Sequence, residues 1–327
     1  MTVINWPHLI ACGLVAVTAV LLCFGALVTT FDAAMAVPDW PGTYGHNMFL
    51  FPLVEWFYGP WDLFLEHGHR LLGALVGMIS LVLAAVVLRS RLSPAIRALA
   101  VAAVLLVVVQ GVLGGARVLL DDKTVAKIHA CTGPLFFSVA VAIATLTRRS
   151  TTPTTATLVT VRSSAGLLLA SYVQLVAGAQ LRHLDASVDP ATFRWLVAFH
   201  LAGAAAVTSL AIAVACSAWR GEARSPRRWS LAILLLVICQ MALGCGAWVA
   251  NWGLPAGWLP ADWAFSDPIM ARSVGAATVV TGHVVLGMLI LGASVVLAIA
   301  SGVLKPAQPD AIARPSRTDH RGERAFA

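Results

Sequence analysis

Eight long apolar runs dominate the sequence, at residues 8–30, 68–88, 98–116, 128–147, 163–181, 195–218, 229–250 and 275–303. Each approaches or exceeds the roughly 20 residues a helix needs to cross the hydrocarbon core of a bilayer. Backbone in lipid must satisfy its own hydrogen bonds, so such runs are helices unless they alternate with the period of a barrel strand, and none does. The fold class that follows is an all-α polytopic membrane protein with eight transmembrane helices. Composition agrees, with 59% of residues hydrophobic and 11% charged, where soluble domains carry roughly 25% charged residues. The first run lacks a basic segment before it and leads into Asp32 and aromatic residues, so it reads as a retained span rather than a cleaved signal.

Orientation follows from the cations, which gather in loops on the cytoplasmic side of a membrane. Of 22 Lys and Arg residues, 15 fall in one set of connections and in the C-terminal segment, while 11 of the 15 acidic residues fall on the opposite side. Both termini are therefore expected to be cytoplasmic. The net charge of +7 is then a topology signal rather than a nucleic-acid-binding surface. All 11 Trp residues lie at span ends or in connections, where amphipathic rings meet the headgroups. Two long outer connections, 31–66 and 251–274, are too apolar for disorder and read as lids lying on the outer leaflet.

Gln110 to Gly114 in the third run is echoed by Gln174 to Gly178 in the fifth and Gln240 to Gly244 in the seventh. Small residues at that spacing let helices approach closely, so packing alone is one explanation and a repeated site the other. The expected organisation is a four-helix bundle over 1–149, a linker over 150–160, a second bundle over 161–304 and a disordered cytoplasmic tail over 305–327. Two bundles of four helices share one orientation and are related by an axis along the membrane normal.

Ionisable residues inside spans mark function, because lipid tolerates them poorly. His69, His129, His200 and His283 fall one per even-numbered span, always in the outer half, giving two per bundle. Gly73, Gly133 and Gly287 each follow a histidine by one turn and leave room for something flat. A haem held edge-on between two helices by neutral imidazoles needs that combination, whereas a structural zinc site would cluster its ligands with Cys or carboxylate. Glu66, three residues before His69, is the one carboxylate near a span histidine, and the second bundle has no counterpart. Two similar sites differing in one reactive group suggest one haem that stays and one that is worked on, with Glu66 as acid or base.

The Glu66-His-Gly-His69-Arg70 segment resembles the E-x-x-H-R signature of heme A synthases. The other three span histidines, the Gly25 to Thr29 end of the first helix, Asp39-Trp-Pro41, the segment ending at Arg117 and Arg182-His183 fit the same pattern, over residues 8–303. The resemblance implies two four-helix bundles related by a pseudo-twofold axis. It implies that His200 and His283 hold a permanent haem b, that His69 and His129 flank the substrate haem o, and that Glu66 is the essential glutamate. The implied reaction is successive hydroxylation of one haem methyl group, then dehydration to the formyl group of haem a. A bacterial cell membrane is the implied location. Haem o synthase and haem-copper oxidase assembly factors are the implied neighbours, and a homo-oligomer is compatible with the resemblance.

Many bacterial members carry a cysteine pair flanking the D-W-P segment, whereas residues 34–44 here contain none and all six cysteines lie in the apolar runs, where they read as small packing residues. Arg70, Arg117, Lys127, Arg182 and Arg272 are outer-edge cations that either pair with haem propionates or meet headgroups. Gln110 and Gln240 are expected to support the ligands from behind. A di-haem b-type electron carrier linked to quinol is the alternative reading, and it leaves Glu66 without a role.

Overall fold

The computed structural model describes residues 4–148, 156–184, 187–221, 224–253 and 273–303. Among these are nine helices and no strand: α1 (Trp6–Thr30), α2 (Leu53–Tyr58), α3 (Trp61–Arg89), α4 (Pro94–Leu120), α5 (Lys123–Thr147), α6 (Leu158–Arg182), α7 (Pro190–Arg220), α8 (Arg224–Trp252) and α9 (Val274–Ala300). All but the short α2 are long and apolar enough to cross a membrane, which makes the chain a multi-pass integral membrane protein.

Local sequence sets where the helices start. Asn5, Ser93, Asp122, Thr157, Asp189 and Ser273 each accept a hydrogen bond from a backbone amide three residues on, and Pro7, Pro94 and Pro190 occupy the first turn where no amide partner is needed. Those amide hydrogen bonds hold the carboxyls of Asp122 and Asp189 below the usual carboxylate range.

The helices extend beyond the apolar runs, most of all at α3. Pro60 is its N-cap, and its first two turns, Trp61 to His67, hold Asp62 and Glu66 inside the helix, so the first lid ends at Pro60 rather than at 66. The second lid beyond Gly253, with Arg272, lies outside the described residues, as do residues 149–155 of the linker and the tail from Leu304.

Helices α1, α3, α4 and α5 pack in one closed ring and α6, α7, α8 and α9 in another, and the rings meet where α9 lies against α1 and α5 and where α5 lies against α6. Each ring has its own apolar core. Leu14, Val76, Leu83 and Ile143 fill the first, Leu167, Val214, Ile233 and Leu297 the second, and Phe137, Val141 and Val295 the seam. Serine and threonine pairs lace the second ring, with Ser164 and Ser301 hydroxyls 3.1 Å apart and Thr160 donating to Ser217 at 3.1 Å. Such bonds replace the hydrophobic drive that is missing between helices in lipid. The two largest apolar clusters thus lie in the half of the molecule away from the lid, and the lid half carries the histidines beside two smaller clusters around Leu65 and Phe51.

The six cysteines are all unpaired and helical. Cys12, Cys216, Cys239 and Cys245 lie on exposed helix surfaces, so the expected packing role fits Cys23 and Cys131 better than these four.

Candidate functional site

His69 on α3, His129 on α5, His200 on α7 and His283 on α9 all lie at the lid end of their helices. Each ring rests edge-on against a glycine of the preceding span. A Cβ added at Gly25 of α1 would stand 3.1 Å from His69 Cε1, at Gly114 of α4 3.4 Å from His129, at Gly178 of α6 3.3 Å from His200, and at Gly244 of α8 3.0 Å from His283. Carbon atoms normally approach to roughly 3.5–4.0 Å, so any side chain there would displace the imidazole. Three of these glycines end the Gln-x-x-x-Gly segments. The fourth, Gly25, has Leu21 in place of glutamine, which hid it from the repeat.

The glycines one turn after the histidines behave differently in the two rings. Nothing lies within 4 Å of a Cβ at Gly73, and only Leu22, at 3.9 Å, meets one at Gly133. Both positions are therefore free of close side-chain neighbours. At Gly287 the space is filled, with Leu175 at 3.1 Å and Gln240 Nε2 at 3.3 Å, because α9 is the most enclosed helix and α6 and α8 close over it.

His200 and His283 face one another with ring centres 6.3 Å apart and planes at 67°. An iron bound by one nitrogen of each imidazole at about 2 Å needs ring centres about 6 Å apart, so this pair fits a bis-histidine haem. His69 and His129 lie within electrostatic reach of each other and of Arg117. The buried Nδ1 atoms of His69, His129 and His283 have no hydrogen-bond partner. The carbonyls of Leu21, Gln110 and Gln240 lie beside these three rings, one turn before the contacted glycine. Among the described residues no three His, Cys, Asp or Glu side chains converge on one point, which suits paired axial ligands rather than a metal cage.

Of the glutamines, the one that touches a ligand ring is Gln174, absent from the expected supporting residues. Its Nε2 donates to the His200 carbonyl at 2.9 Å and lies 3.1 Å from the ring Nδ1. Gln110 donates instead to Thr132, and Gln240 keeps its buried Oε1 unpartnered. The repeat already held Gln174, but its Gly203 contact across to α7 is a tertiary fact.

Glu66 is buried, with both oxygens engaged: Oε2 accepts the Val37 amide at 2.9 Å and Oε1 accepts Arg70 at 2.7 Å. Arg70 also donates to the carbonyls of Val37 and Gly42 at 2.7 Å and of Asp39 at 2.6 Å. Between them, His67 Nδ1 is hydrogen-bonded to Thr43 Oγ1 at 2.9 Å, and its ring is wedged against Phe51 and Trp56. One turn of α3 therefore holds His69 and clamps the lid. The lid is tied to itself as well. Asp39 accepts the amides of Tyr44 and Gly45; burial opposes its ionisation, but these bonds and nearby Arg70 outweigh that and hold its carboxyl below the usual range. Gly45, at φ +77°, takes the turn that follows.

The expected propionate cations separate by what already binds them. Arg182 donates to Ala26 of α1 at 2.7 Å and to Thr30 at 2.6 Å, and Thr30 lies 3.1 Å from the hydroxyl of Thr281 on α9, so it ties the two rings together. Arg117 lies near Glu66, Arg70 and Asp121, above the first histidine pair. His183, beyond the end of α6, is held neutral: burial, then Arg182, Arg117 and Lys127, push its pKa down to about 4. Arg272 lies outside the described residues.

Glu66, His69, Arg70, Arg117, His129 and Arg182 thus converge at the lid end of one continuous stretch of helices. Residues 61–198 match the COX15-CtaA family of cytochrome oxidase assembly proteins. No curated protein gives a significant match. The COX15-CtaA match begins at the first residue of α3 and ends just before His200, so it spans the clamp, the first histidine pair and the Arg182 tie. It agrees with the resemblance that the Glu66 to Arg70 segment carries.

Proposed function

We propose that this chain is a heme A synthase, an oxidoreductase of a bacterial cell membrane that converts haem o to haem a in the assembly of haem-copper oxidases. The observation that carries the reading is the inequality of two otherwise similar histidine pairs: one has Glu66, Arg70 and a clamped lid beside it, and among the described residues the other has no such buried carboxylate–guanidinium pair. His200 and His283 hold haem b, and His69 and His129 flank haem o, whose isoprenoid tail stays in the lipid. Bound at the second pair, haem b supplies one-electron redox chemistry.

The chain's own groups do the rest. Gly73 and Gly133 leave the first slot open for a flat substrate. The lid limits water at the reacting methyl group, and Glu66, held among Val37, Arg70 and Arg117, takes or returns protons as that methyl is hydroxylated twice and dehydrated to a formyl group. Arg117 and Lys127, with neutral His183 beside them, receive propionates, while Arg70 and Arg182 act through the lid and the seam between the rings. A di-haem electron carrier would require neither the clamp nor a buried Glu–Arg pair at one site alone. The cytoplasmic face is the one rich in cations, and haem o synthase and oxidase assembly factors are the partners this activity requires.

Expression in cells that make haem o but cannot make haem a tests the proposal. The expected result is a-type haem absorption in their membranes. Membranes that contain the folded protein yet show only b- and o-type haem would contradict it.

A further inference from the structure

We propose that Trp40 is a substrate-contacting residue whose indole forms the lid-side wall of the slot between His69 and His129 and stacks on the flat macrocycle held there, an inference that rests on the function proposed above. The indole lies directly on α4 at Gly115: a Cβ at that position would collide with Cδ2, Cε2 and Cε3 of the ring. The preceding residue, Gly114, is the seat of His129. Consecutive helical residues point about 100° apart, so Trp40 and His129 hold neighbouring faces of the same turn of α4.

The placement is fixed from α3. Arg70 binds the carbonyls on both sides of Trp40, those of Val37, Asp39 and Gly42, while Glu66 holds the Val37 amide and His67 holds Thr43. The helical turn that presents His69 therefore also sets the indole, and α4 beneath it seats His129. A ring placed so firmly still leaves 39% of Trp40 exposed. Its ring packs on Gly115, one residue from the Gly114 seat of His129, and at Gly73 and Gly133, one turn beyond the two histidines, no side chain stands closer than 3.9 Å to an added Cβ. A rigid aromatic face suits a planar conjugated ring better than it suits an ion or a flexible chain. Glycine at 115 gains a reason of its own, since any larger residue would push the indole out of the wall.

Titration of the purified full-length protein, carrying its resident haem b, with haem o tests this by the change in haem absorption on binding. Trp40→Leu keeps apolar bulk but removes the flat face, Gly115→Ala displaces the indole without deleting it, and Trp40→Phe retains an aromatic ring. The dissociation constant for haem o is expected to rise about ten-fold in Trp40→Leu and Gly115→Ala, the loss expected from one aromatic stacking contact, and to stay within about three-fold in Trp40→Phe. Haem b content should be unchanged in all three. Wild-type affinity in both Trp40→Leu and Gly115→Ala would overturn the assignment and leave Trp40 as a membrane-interface residue. Equal weakening in Trp40→Phe and Trp40→Leu would overturn stacking in particular. If the wild-type protein binds haem o without ever converting it, the proposed function fails while the Trp40 shifts still decide the inference; if it binds none, both fail.

Discussion

Glu66→Ala is expected to abolish conversion of haem o while haem b remains bound. The carboxylate joins the lid amide of Val37 to the Arg70 guanidinium, at 2.9 and 2.7 Å, and both side chains of the ion pair are at least nine-tenths buried. Deleting one partner of a buried pair strands the other, a cost of roughly 3–5 kcal/mol. Here Arg70 would be stranded, and with it the three lid carbonyls it holds. Loss of a positioned proton carrier separately slows proton transfer about 10²–10⁴-fold. Glu66→Gln separates the two effects: its one amide oxygen accepts from either Val37 or Arg70 and its –NH2 faces the other donor, so it keeps the side-chain bulk and one of the two bonds but cannot exchange a proton as a carboxylate does. Turnover near zero in both variants, with normal haem b content and with haem o affinity kept in the glutamine variant, identifies proton transfer. Turnover lost in the alanine variant and kept in the glutamine variant identifies the lid as the essential part. Full turnover in Glu66→Ala would remove Glu66 from the mechanism.

His283→Ala is expected to remove haem b specifically. With ring centres 6.3 Å apart, His200 and His283 are spaced for two bonds to one iron, and the filled surroundings of Gly287 leave the second slot little freedom to recruit another ligand. The first pair lies on other helices, and its seats at Gly25 and Gly114 are untouched by the change. Haem extracted from the purified variant should therefore show haem b strongly depleted, while haem o added afterwards still binds. Unchanged haem b content and spectrum would refute the ligand assignment.

Much of this architecture is legible in the sequence because lipid makes polar residues conspicuous. Eight spans, four histidines and one carboxylate stand out as departures from a uniform apolar background, and their positions along the helices place them at one end. What remains hidden is cross-helix. Gly25, Gly114, Gly178 and Gly244 matter through the ring each one meets on the next span, and no spacing within a helix displays that contact. The glycines that do share a helix with the histidines are the more visible set, and at Gly287 they misled, since enclosure of α9 is decided by neighbours. Arg70 and Arg182 read as edge cations suited to propionates, but carbonyl acceptors from distant segments, Val37 to Gly42 in one case and Ala26 in the other, had already bound them. The start of α3 is hidden for a simpler reason: Asp62 and the Glu66 to Arg70 stretch interrupt its apolar run, so hydropathy alone begins the span after them, whereas the helix starts behind Pro60.

The central claim is that this chain alters the haem it holds between His69 and His129. Its most direct test is the mass of the haems extracted from the purified protein after expression with a source of haem o. The account predicts haem b together with species derived from haem o, first hydroxylated at one methyl group and then carrying the formyl group of haem a. Recovery of haem b and unmodified haem o alone, from folded and haem-loaded protein, would contradict it.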